Sequence, residues 1–140
     1  ETMEDIDEMC DFLLELSKIS RVALGMSPLV AKKNTPLDGA PFEDQKSLER
    51  KIKHVHKRLN RKVEIRSTSV RWSWIEYHLA QGGFEMAKVA VDVWKDGGGY
   101  SAWKRAIKRH GFTPAPLRKP ESNKLTPGAL LSSEHMIQPR

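Results

Sequence analysis

Across its first 66 residues the chain switches repeatedly between two apolar spacings, one that a helix buries and one that a strand buries. Residues 3–17 set Ile6, Met9, Leu13 and Leu16 three or four apart, a single stripe on an acidic helix. Val22, Leu24 and Met26 then alternate over residues 19–26, the period of a strand. Leu48, Ile52, Val55 and Leu59 restore the helical step over 43–60, and Val63 with Ile65 returns to the strand step over 62–66. Helix, strand, helix, strand is the repeat of an α/β architecture. Between the first strand and the second helix, residues 27–42 hold Pro28, Pro36, Gly39 and Pro41 with no helical period. They predict a loop leaving the C-terminal end of the strand, the end at which α/β proteins bind ligands.

Beyond Ser67 only helical spacing remains. Val70, Trp74, Ile75, His78 and Leu79 mark one helix, stopped by Gly82-Gly83. Ala87, Ala90, Val91 and Trp94 mark a second, stopped by Gly97-Gly98-Gly99. Trp103, Ala106 and Ile107 mark a third, with Gly111 as its stop signal. Trp74, Trp94 and Trp103 read as the core of this helical part, and a stacking platform for nucleic-acid bases is the alternative. Pro114, Pro116, Pro120 and Pro127 interrupt the rest of the chain, so residues 112–140 are expected to be an extended or disordered tail unless a partner segment orders them. The organisation expected is therefore residues 1–66 in helix–strand units, 67–111 as a helical subdomain, and 112–140 as tail.

Composition narrows the chemistry. A chain of 140 residues fits one ordinary domain, and its 39% hydrophobic content leaves part of it outside a core. Cys10 is the sole cysteine, which excludes an internal disulfide and any self-contained zinc or iron–sulfur site. No run of about 18 apolar residues occurs, nor a basic start followed by an apolar stretch, so a soluble, cytoplasmic protein with no membrane partner is expected. The chain opens at Glu1-Thr2-Met3, straight into a helix pattern and without an initiator methionine, which suggests a fragment or a processed chain. Thr2 suits an N-cap, with Asp5 in the Glu position of a capping box and Glu4, Asp5 and Asp7 at the helix's positive end.

The net charge of +6 is uneven: residues 1–16 carry seven acids and no base, while 43–71 carry ten bases and four acids. The basic face of the helix over 43–62 reads as solvated surface, or alternatively as a phosphate track for nucleic acid. No phosphate-loop, dinucleotide or zinc-protease signature is present, and Gly97–Gly99, which follows a helix, reads as a chain reversal. His54 and His56, two apart on a helix, point about 200° apart and do not share a metal.

Ser27-Pro28-Leu29-Val30-Ala31-Lys32-Lys33-Asn34-Thr35-Pro36 matches Pro-Phe-Val-Pro-Lys-Pro-x-Thr-Pro at Pro28, Val30, Lys32, Thr35 and Pro36. Glu1-Thr2-Met3-Glu4-Asp5-Ile6 is similar to the end of Gly-x-Pro-Gly-Glu-Thr-x-Glu-Asp. Residues Ile75 to Gly82 and Trp94 to Trp103 are similar to Glu-x-x-Leu-Ser-Arg-Gly-Asp and Trp-x-x-Gly-x-x-Phe-Asp-Ala-Trp. In this order the four blocks resemble radical S-adenosylmethionine proteins of the cobalamin-binding, iron–sulfur oxidoreductase type. Ala31 stands where that pattern has proline, Gln81 and Gly83 where it has arginine and aspartate, and Ser101 where it has aspartate. The Cys-x-x-x-Cys-x-x-Cys of the family lies far N-terminal to these blocks and does not occur here.

The resemblance implies an α/β fold, predominantly helical by content. Residues 1–66 would be the last two helix–strand units of a partial (β/α) barrel, with a helical subdomain after them. It implies an enzyme part that is incomplete and inactive alone, with the earlier barrel as its partner. S-adenosylmethionine, a 4Fe–4S cluster and cobalamin would belong to the complete protein, and no cofactor to this chain. Ser27, Lys32 and Thr35, on the loop after the first strand, are the candidates for contacting cofactor or substrate, Lys32 as a point charge for an anionic group. Two other readings stand beside this one: a nucleic-acid-binding module on the helix over 43–62, and an interaction domain that docks on the missing barrel or self-associates.

Overall fold

The computed structural model describes residues 1–114, so all but the first three residues of the expected tail lie outside the described residues. In chain order the elements are α1 (Met3–Ser17), β1 (Ala23–Met26), α2 (Gln45–Leu59), β2 (Glu64–Ser67), α3 (Val70–Gln81), α4 (Met86–Lys95) and α5 (Gly99–Arg109). β1 and β2 pair in parallel, Ala23 opposite Glu64 through Met26 opposite Ser67, with α2 as the crossover. The described residues are mostly helical, and this pair is their whole sheet. Two strands cannot close, so the partial barrel implied by the resemblance is not displayed by them.

α1 starts where its sequence provides a cap. Thr2 Oγ1 accepts from the Asp5 backbone N–H at 3.2 Å, while the Asp5 carboxylate accepts from the Thr2 N–H at 2.6 Å. A reciprocal cap of this kind stabilises a helix by about 0.5–2 kcal/mol. Ile6, Cys10 and Leu13 then pack on Val55, Leu59 and Val63, with Val22, Leu24, Met26 and Ile65 beside them. Leu16, expected on the same stripe, is exposed, and Cys10 takes the buried place. Acid and base meet across the α1–α2 contact: His54 Nε2 lies 2.6 Å from Asp7, Arg58 Nε lies 3.3 Å from Asp7, and Arg58 also pairs with Asp11. The uneven charge of the sequence is thus partly an interhelical match.

A second core joins α4 to α5. Met86, Val89 and Val93 pack on Ala102, Ala106 and Ile107, flanked by Trp74, Trp103 and Phe112. Here the expected core is corrected, because Trp94 is 78% exposed and Ala87, Ala90 and Val91 lie on the outer side of α4. α4 carries two apolar stripes at helical spacing, and periodicity alone does not choose between them. The turn into α5 chooses. Gly98 N–H donates to Val93 O at 2.9 Å and Gly97 N–H to Trp94 O at 3.1 Å, the paired bonds of a Schellman stop. Gly97, Gly98 and Gly99 all hold φ between 76° and 82°, a region that side chains disfavour, and the reversal lays α5 on Met86, Val89 and Val93.

Gly82 also departs from expectation. It ends α3 with φ −78° and ψ 172°, so it supplies no left-handed cap. A Cβ there would overlap Met86 Cγ and sit 3.0 Å from the His78 carbonyl oxygen, and close approach of α4 is what requires the glycine.

Candidate functional site

The loop over 27–42 leaves the C-terminal end of β1 as expected and is strapped to the end of α3. Pro28 and Ala31 are buried. The buried Gln81 side chain donates from Nε2 to Ala31 O at 2.9 Å, and the Lys33 N–H donates to Ala80 O at 3.4 Å. Two of the four positions that depart from the resembled pattern, Ala31 and Gln81, are therefore in direct contact. Bonds from Asp38 N–H to Thr35 O and from Ala40 N–H to Leu37 O, both 2.9 Å, fold residues 33–40 into turns. Asn34, at φ 61°, donates its N–H to the Asp38 carboxylate at 3.1 Å.

Ser27, Lys32 and Thr35 are all exposed on this loop, but their environments differ from one another. Lys32 forms an ion pair with Glu76 of α3, so its charge is already engaged. Thr35 Oγ1 donates to Lys32 O at 2.8 Å and staples the turn. Ser27 sits immediately after β1.

A groove of about 720 Å³ opens at the far end of the same loop. Gly39, Pro41 and Phe42 of the loop, with Glu43, Asp44, Gln45 and Lys46 at the start of α2, form one side. Trp74, Tyr77 and His78 of α3 and Tyr100 and Lys104 of α5 form the other. Ser27, Lys32 and Thr35 do not line it. The rings pack against one another: Phe42 and Tyr77 at 5.5 Å, Trp74 and Tyr100 edge-on at 5.7 Å, Trp74 and His78 at 4.0 Å. Tyr100 donates its hydroxyl to Gln45 Oε1 at 2.9 Å and ties α5 to α2.

Burial shifts two titratable groups of this groove, raising the pKa of Tyr77 and lowering that of His78. His78 Nδ1 donates to Trp74 O at 2.8 Å, which leaves Nε2 as the acceptor of a neutral ring. Burial holds its pKa below the ordinary 6.5, only partly opposed by that carbonyl bond. Sequence spacing marks His78 as one more residue of an apolar helix face. Only the loop's return across α3 shows that it borders a cavity.

A shallower groove of about 600 Å³ lies where the basic face of α2 meets the turn from β2 into α3. Lys53, His56 and Arg71 line it with Ser67, Thr68 and Ser69. His54 turns the other way, to Asp7, in keeping with the two histidines' opposed directions. Among the described residues no three His, Cys, Asp or Glu side chains are grouped to hold a metal ion, and no helix is long and apolar enough to cross a membrane. Burial raises the Cys10 thiol's pKa, so it is a packed apolar group rather than a nucleophile. Compared with known proteins, the chain matches no family model, no curated protein and no solved structure.

Proposed function

We propose that the chain is the C-terminal part of a radical S-adenosylmethionine enzyme. In this reading β1 and β2 extend a parallel sheet begun by upstream strands, residues 27–42 form part of the pocket rim, and α3–α5 are a helical extension. The observation that carries it is the parallel β1–α2–β2 unit preceded by α1, with the proline-rich loop at the strand's C-terminal end. The ordered sequence blocks from Glu1 to Trp103 support it. So do Phe12 and Leu16 of α1 and Ile19 just after it, exposed apolar side chains that further barrel elements would cover. Ser27, Lys32 and Thr35 belong to the rim, Lys32 and Thr35 by shaping the loop and Ser27 by its place at the strand's end.

The iron–sulfur cluster does not fit this chain, because one buried thiol stands where at least three thiolates are needed. The cluster, S-adenosylmethionine and any cobalamin are assigned to upstream sequence, and no step of the reaction is assigned here. Anaerobic reconstitution with iron and sulfide tests the reading. The protein carrying its upstream sequence should show a four-iron spectrum and bind S-adenosylmethionine, and the 140-residue chain alone should do neither. A longer protein that shows neither property overturns the proposal.

A second reading, an anion or nucleic-acid module on α2, is favoured by the groove of Lys53, His56 and Arg71. Binding of a single-stranded oligonucleotide that weakens steeply with salt, and that is lost on replacing Arg50, Lys53 and Lys57 with glutamine, would support it.

A further inference from the structure

We infer that the groove between residues 39–46 and helices α3 and α5 binds a small planar aromatic molecule carrying a phosphate or carboxylate. Its volume of about 720 Å³ falls in the range of small-molecule sites, and it is a groove open to solvent along one side. Phe42, Trp74, Tyr77 and Tyr100 contribute rings to its walls, and a flat π-system is a shape that such rings accept at little entropic cost. Among these rings the neutral His78 offers Nε2 as an acceptor, because Nδ1 is committed to Trp74 O. An N–H or O–H on the rim of a planar ring is its complement.

The anionic part rests on which charges at the mouth are already spent. Glu43 is paired with Lys51 at 2.7 Å and accepts from the Ser47 hydroxyl at 2.7 Å, and the Asp44 carboxylate caps α2 through Ser47 N–H at 3.0 Å. Lys46 and Lys104 have no carboxylate within ion-pair distance among the described residues, although both line the groove. The lining therefore presents two ammonium groups without a carboxylate partner, Glu43 paired with Lys51, and Asp44, which caps α2 with its charge retained. Such a mouth favours a ligand with negative charge at one end. The inference does not depend on the radical-enzyme reading, since Ser27, Lys32 and Thr35 lie outside this groove.

Adenosine 5′-monophosphate and indole-3-acetate represent the two sources of the anionic group. Adenosine lacks the anion, and inorganic phosphate lacks the ring. Titrations followed by tryptophan fluorescence and by the His78 ring resonances should show saturable binding of at least one ring-plus-anion probe, with a His78 shift. Adenosine and phosphate should bind more weakly, by about tenfold or more. Whichever of the two probes binds tells phosphate ester from carboxylate. Lys46→Gln and Lys104→Gln, both at exposed positions, should weaken the anionic probe to the level of its uncharged counterpart with the melting temperature unchanged. Tyr100→Ala should weaken anionic and uncharged ring ligands alike. Failure of both probes, equal binding of adenosine or phosphate, saturation without a His78 shift, or indifference to both lysine variants would each overturn the inference.

Discussion

Gly82 and His78 occupy neighbouring turns of one helix end, and each does something that its residue type in a linear pattern does not announce. Gly82 reads as a helix stop and is in fact a point of close approach, so Gly82→Ala should destabilise the protein by about 1–3 kcal/mol through overpacking against Met86. Denaturant melts check this, and a neutral result would mean that α4 shifts freely. His78 reads as an apolar-face residue and borders a groove. Because burial depresses its folded pKa, the unfolded chain takes up the proton first as pH falls below 6.5. Its contribution to stability is complete above 6.5 and is lost as pH falls toward the lower folded value. The His78 ring should titrate below 6.5 by NMR, and a midpoint above it would contradict the burial argument. The capping box at Thr2 was legible because caps are local. The pairing of Lys32 with Glu76 was not, because the two residues are distant in sequence.

At the scale of elements, spacing located the five helices and two strands of the described residues to within a few residues, since each rests on local periodicity. What spacing did not supply was rotation: the buried side of α4 and the place of Leu16 depend on which neighbour arrives. The same limit applied to charge. The basic face of α2 reads as uniform along the sequence, yet it divides into residues that reach α1 and residues that do not. Arg50→Gln, Lys53→Gln and Lys57→Gln together should change stability little, while Arg58→Gln should lower it measurably by removing the partner of Asp11 and leaving Asp7 with His54 alone. Thermal melts of the two variants decide it, and equal losses would show the division to be without energetic content. The Asp7 carboxyl is held below the ordinary 3.8, first by the hydrogen bond from His54. That link between α1 and α2 is present above this value and is lost as pH falls through the lower folded pKa.

The described residues form two cores of unequal independence. One gathers Met86, Val89, Val93, Ala102, Ala106 and Ile107 from helices adjacent in sequence. The other rests partly on a two-stranded sheet, and isolated strand pairs are marginal in water. Hydrogen exchange should therefore be slowest around Val93 and Ala106 and faster across Ala23–Met26. Slow exchange across β1 in a proven monomer, with fast exchange near Val93, would show residues 1–66 to be self-sufficient and would count against the radical-enzyme reading. The glycine reversal between α4 and α5 also sets an order of events in time. Its loop closes over a few residues, whereas bringing Ala23 beside Glu64 closes a loop of about 40. The α4–α5 hairpin can thus form within microseconds of collapse, and the parallel strand pairing becomes the slow step. Weakening the glycine turn with Gly98→Ala should then slow refolding and leave the unfolding rate almost untouched, because the turn is already made when the strands pair, whereas Leu24→Ala should also speed unfolding. A glycine-turn variant that unfolds faster and refolds at an unchanged rate would reverse that order and make the strand pair the nucleus on which the hairpin waits.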